Sequence, residues 1–192
     1  MEMLVAGLVI FLGVHSVRML ADGWRTRMRT RLGEGAWKGL YSLVSLLGLA
    51  LIVWGFDLAR EQPTILWAPP AGLRHVASLL TLLAFVLLAA AYVPGNAIKA
   101  RLHHPMVLGV KTWALAHLLA SGMLAHLVLF GAFLVWAVAN FSASRRRDRR
   151  EGVVYPPGRT TATVITCVLG AAAWAVFAFG LHGVLIGIKP FG

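Results

Sequence analysis

The stretch Val76–Ala91, VASLLTLLAFVLLAAA, carries only Ser78 and Thr81 as polar side chains. With its flanks, from Arg74 to Val93, it is long enough to cross about 30 Å of hydrocarbon at about 1.5 Å per residue. Inside hydrocarbon the backbone must satisfy its own hydrogen bonds, so the run reads as a membrane helix. Working outward, five similar stretches appear: Met3–Ala21, Trp37–Leu58, Met106–Ala120, Met123–Phe141 and Thr161–Ile188. The expectation is an all-α, polytopic membrane bundle of six spans forming one domain over residues 1–192. Fusing Met106–Ala120 with Met123–Phe141 would give five, but Ser121-Gly122 reads as a tight turn between antiparallel neighbours.

Composition agrees. Of 192 residues, 59% are hydrophobic and 13% charged, about half the charged share of a soluble domain. Disorder requires low hydrophobicity and is excluded. Cys167 is the single cysteine, so an intrachain disulfide scaffold is excluded as well. The first stretch begins with Glu2 rather than a basic residue and lacks a clean small-x-small cleavage site, so it reads as a retained helix rather than a signal peptide.

A net charge of +11 invites a nucleic-acid reading, which the placement of the charges argues against. Arg18, Arg25, Arg27, Arg29, Arg31 and Lys38 surround the first connection. Lys99, Arg101 and Lys111 surround the third, and Arg145, Arg146, Arg147, Arg149, Arg150 and Arg159 the fifth. Only Arg60, Arg74 and Lys189 fall at the alternate connections and the C-terminal end. Fifteen of 18 basic residues therefore belong to one membrane face. That is the positive-inside pattern for an even number of spans with both termini on the outer side. The basic runs serve topology and contact with anionic lipid. Trp24, Trp37, Trp54 and Trp67 sit where interfacial aromatic belts are expected. The expected partner is the bilayer; the sequence names neither a redox partner nor an oligomeric state.

The orientation gives each of the seven histidines a depth. His15 lies roughly 18 Å from the outer edge, and His117 roughly 16 Å from the inner edge. Both are near the midplane, where ionisable groups are costly and mark functional candidates. Each could simply hydrogen-bond a carbonyl, or the two could share a ligand. Haem iron takes axial imidazoles, and cofactor sites in bundles form between facing helices. Gly7, Gly13, Gly109 and Gly122 would admit a flat macrocycle, or would pack helices. Arg18 and Lys111 suit haem propionates, or snorkel to the interface. Trp113, one turn before His117, could lie against a bound ring or pack. His75, His126 and His182 come out near the outer interface, as wet side chains or as a three-histidine metal site. His103 and His104 lie at the inner interface. Cys167 reads as a packing residue.

At these residues the chain resembles the NnrU family. The segments are FLGVHSVRMLADGWR (11–25), LGEGAWKGLYSLVSL (32–46), AAYVPGNAIKA (90–100), HPMVLGVKTWALAHLLASG (104–122) and LHGVLIG (181–187). Bacterial members are associated with nitric-oxide and denitrification metabolism, and the family is similar to the plant 15-cis-ζ-carotene isomerase. The resemblance implies a haem b held by His15 of an "HS" motif and His117 of a "W-x-L-A-H" motif, with His104 in an "HP" motif beside them. The plant enzyme has a cysteine three residues before the second ligand; here Ala114 stands there, so a thiolate–histidine switch is not available. Two classes follow: a haem-dependent cis–trans isomerase of a lipophilic polyene, or a non-catalytic redox, sensor or accessory protein. HPMVLG also has a weaker likeness to membrane methyltransferases and sterol reductases, but this chain has no acidic residue after Glu151.

Overall fold

A computed structural model describes residues 1–191 of the chain. The elements are α1 (Glu2–Leu20), α2 (Asp22–Leu32), α3 (Glu34–Glu61), α4 (Gly72–Tyr92), α5 (Ala97–Leu102), α6 (Pro105–Ala120), α7 (Leu124–Glu151), α8 (Thr160–Val176), a π-helical turn (Phe177–Leu181) and α9 (His182–Ile186). No strand is formed among the described residues, and the protein is a helical membrane protein, as the hydropathy required. The helices α1, α3, α4 and α7, and the run 160–186, are long and apolar enough to cross a membrane. Helix α6 is apolar but has 16 residues, about 24 Å, which is short of the hydrocarbon thickness. The expected six stretches are therefore present as helices, five of them at full spanning length.

The chain forms two compact units, residues 1–68 with 121–143, and residues 69–120 with 144–192. In the first, α1 and α3 pack antiparallel. Small residues let the backbones meet: a Cβ on Gly48 would lie 2.8 Å from the Phe11 amide nitrogen, and one on Gly7 would lie 2.6 Å from that of Ile52. Gly7 therefore belongs to helix packing, while Gly13 meets nothing within 4 Å. The connection after α3 meets the start of α7, with Leu124 N donating to Thr64 O at 2.9 Å and Leu66 N to Gly122 O at 2.8 Å.

In the second unit α4 packs against α6 and α8. Trp174 Nε1 donates to Thr81 Oγ1 at 3.1 Å across the α4–α8 contact. Gly109 packs against Ala84 and Leu88. The fully buried Asn96 pins the end of α4 to α5. Its Nδ2 donates to Ala90 O (2.9 Å) and Val93 O (2.6 Å), and its Oδ1 accepts from Lys99 N (2.8 Å). Arg159 N donates to Gly95 O at 2.8 Å, and Ala97 N to Thr163 Oγ1 at 2.9 Å. The Lys99–Arg101 segment and the chain at Arg159 thus share one end of this unit, as the charge pattern required.

Several boundaries move. The connection carrying Arg25–Arg31 is itself a helix, α2. Helix α7 continues ten residues past Phe141 to Glu151, since arginine is a good helix former and nothing outside hydrocarbon stops it. The last stretch is broken by the π-helical turn and ends at Gly187, whose φ of +78° closes the helix in the left-handed region. Cys167 is exposed on α8 rather than packed inside.

Gly48→Leu should destabilise the protein by about 1–3 kcal/mol, because the backbone of α1 cannot yield. Gly13→Ala should be neutral or stabilising by up to about 1 kcal/mol. Thermal unfolding in detergent measures both.

Candidate functional site

His15 sits on α1 in the first unit. Its Nδ1 is 2.7 Å from Phe11 O, one turn back. The Phe11 ring stacks on the imidazole at 4.2 Å, and Tyr41 and Trp136 approach edge-on at 5.3 and 6.3 Å. One face of the ring is thus covered and its tilt fixed. The next residue, Ser16, donates to Leu12 O at 2.6 Å. Two further polar atoms of this unit, Ser45 Oγ and Trp136 Nε1, are buried without a hydrogen-bond partner among the described residues. Trp136 is the residue edge-on to His15. Neither atom was singled out by sequence, because only the meeting of α1, α3 and α7 brings them near.

His117 sits on α6 in the second unit and repeats the arrangement. Its Nδ1 is 2.8 Å from Trp113 O, and the Trp113 ring lies 5.1 Å from the imidazole. Trp113 therefore does lie against its histidine. In a neutral imidazole whose Nδ1–H donates to a carbonyl, Nε2 carries the lone pair. Both rings thus have their tautomer set by their own helix. A carbonyl on Nδ1 is also the usual support for an imidazole that ligates a metal through Nε2. The residue three before His117, Ala114, is fully buried and carries no donor.

The remaining site residues are placed as follows. Arg18 is exposed in the last turn of α1, and Lys111 is half-buried on α6. His104 belongs to a different cluster of the second unit: its Nε2 lies 2.8 Å from Asp148 Oδ2, which also accepts from Tyr155 Oη at 2.8 Å. Burial pulls the His104 pKa below its ordinary value, and the Asp148 carboxylate opposes this. Burial and the bond to Asp148 push the Tyr155 hydroxyl up. His75 is exposed, and His182 Nδ1 is 2.6 Å from Ile188 O. His126 stands edge-on to Phe56 at 5.0 Å, with its Nδ1 buried and unpartnered among the described residues. Among the described residues no group of three or more His, Cys, Asp or Glu side chains is placed to hold a metal ion, so the outer three-histidine site finds no such cluster.

Helices of spanning length define a multi-pass helical membrane protein. The family model described as NnrU protein matches residues 3–190, and the chain belongs to the NnrU family. No curated protein and no solved structure matches it.

Two outcomes follow. Ser45→Ala should leave unfolding unchanged or stabilise by about 1 kcal/mol, because an unpartnered buried hydroxyl costs free energy; a drop in unfolding temperature would show a partner. The depressed His104 pKa means that the folded state favours the neutral ring. Its contribution to stability is present above the unfolded pKa of about 6.5 and is lost as pH falls through the lower folded value. Stability should fall more on acidification in the wild type than in His104→Gln, as measured by unfolding at stepped pH.

Proposed function

We propose that this NnrU-family protein is an integral membrane haem-b protein in which His15 and His117 supply the axial imidazoles. The observation that carries the reading is the shared Nδ1-to-carbonyl bond, 2.7 Å at His15 and 2.8 Å at His117. It assigns the iron-binding lone pair to Nε2 and makes that nitrogen more basic. The donor chemistry fits the group: imidazoles with Nδ1 engaged, aromatic walls at Phe11, Tyr41, Trp136 and Trp113, and a buried Trp136 Nε1–H that finds no acceptor among the described residues. Arg18 and Lys111 are the proposed propionate partners, each within two turns of its histidine along the helix.

A bound haem would supply one-electron chemistry or a site for nitric oxide, and the chain would supply ligation, orientation and a dry surround. Two imidazoles fill both axial positions, which suits electron transfer or sensing in nitric-oxide-linked metabolism at a bacterial inner membrane. Fully buried Ala114, where the plant isomerase has cysteine, favours this reading over polyene isomerisation, because no thiolate replaces an imidazole there.

The protein purified in detergent after expression with added haem precursor should show the split α/β bands of a low-spin haem b. His15→Ala and His117→Ala should each lose haem or become high-spin. Full occupancy with an unchanged spectrum in both variants would refute the ligand assignment, and a colourless wild type would refute the cofactor.

A further inference from the structure

At the basic end of the second unit the end of α5, the end of α7 and the chain that follows it come together. Helix α5 ends in a three-residue turn in which His104 N donates to Leu102 O at 3.0 Å. The central residue is His103, with φ +71° and ψ −61°, a strained γ-turn geometry that a non-glycine residue rarely adopts. Such strain persists where the surroundings hold it, and it concentrates at functional positions. Here the surroundings are visible: the His103 ring lies on Tyr155 at 4.1 Å, and Tyr155 is bonded to Asp148. Past the end of α7 the chain turns at Gly152, φ +61°, and Val153 N donates back to Asp148 O at 3.0 Å.

These elements line an open recess of about 300 Å³ formed by His103, Arg145, Asp148, Arg149, Gly152 and Val153. Arg145 and Arg149 are one helical turn apart and so address the same side. The carboxylate among them is already engaged: Asp148 Oδ2 has His104 Nε2 at 2.8 Å and the Tyr155 hydroxyl at 2.8 Å. Two guanidinium forks and an imidazole therefore line the recess beside one carboxylate whose Oδ2 is already hydrogen-bonded. A solvated topology signal needs no strained turn held by an aromatic contact.

We propose that this recess binds a phosphate group, with Arg145 and Arg149 donating to its oxygens from one side and His103 from the other. Guanidinium forks match phosphate geometry in paired hydrogen bonds. The phosphate comes from an anionic lipid headgroup of the adjoining leaflet or from a small soluble phosphate, and the two sources share this chemistry.

The test compares unfolding temperatures of the full-length protein under two additions. In detergent, inorganic phosphate replaces chloride at matched ionic strength. In nanodiscs, phosphatidylglycerol is added to phosphatidylcholine, whose choline cation keeps its phosphate from an arginine-lined recess. Stabilisation by phosphatidylglycerol alone assigns a lipid headgroup; stabilisation by both assigns a site open to soluble phosphate. The stabilising affinity should fall at least about tenfold in the Arg145→Gln/Arg149→Gln double variant. It should persist in Arg27→Gln/Arg31→Gln, which removes equal charge from α2. Should the first double variant fail to fold, His103→Asn, which tolerates the positive φ, must show the weakening. No stabilisation from either source, equal loss in the α2 variant, or undiminished affinity in His103→Asn would each overturn the proposal.

Discussion

Hydrocarbon offers no partner to an unpaired polar group, and that constraint organises this chain. Backbone groups respond by forming helices. Hydroxyls within the apolar helices respond by turning back on their own helix: Ser16 to Leu12 O at 2.6 Å, Thr112 to Leu108 O at 2.9 Å, Thr166 to Ala162 O at 2.7 Å. His15 and His117 follow the same rule through Nδ1. For a hydroxyl the bond satisfies the only hydrogen. For an imidazole it fixes one nitrogen and defines the other as a lone-pair donor. A rule of membrane packing thereby fixes the orientation of both imidazoles at no added structural cost.

Charges obey the same constraint by leaving the slab. They accumulate on α2, on α5 and at the end of α7, where water and lipid headgroups solvate them. At the last of these, the contacts of His103, His104, Asp148 and Tyr155 convert a solvated basic run into a shaped recess. Chemistry is thus proposed at two kinds of place, imidazole-based at His15 on α1 and at His117 in the last turn of α6, and anionic at the basic end of the second unit.

What the sequence made legible was what depends on composition and period: the apolar helices and, within the second unit, the end at which the segments of Lys99–Arg101 and Arg159 gather. Less visible were features made by residues distant in the chain. Asn96 looks like a loop residue until its three bonds to Ala90, Val93 and Lys99 are seen. Asp148 reads as one acid among five arginines, and only folding sets it against His104 and Tyr155. Helix α2 was missed because four arginines suggest a loop, although arginine supports helix outside the bilayer. His104, which the family motif sets beside His15 and His117, is bonded to Asp148, a contact that no spacing in the sequence announces.

The charge pattern predicts that fifteen basic residues share one face of the membrane, and site-directed labelling tests that most directly. In a Cys167→Ala background, single cysteines would replace Arg29, Arg101 and Arg146 at the basic ends, and Gln62 and Gly72 at the others. A membrane-impermeant maleimide added to intact cells should modify Gln62→Cys and Gly72→Cys alone. Modification of Arg29→Cys, Arg101→Cys or Arg146→Cys to the same extent would contradict the shared face, and with it the depths assigned to His15 and His117.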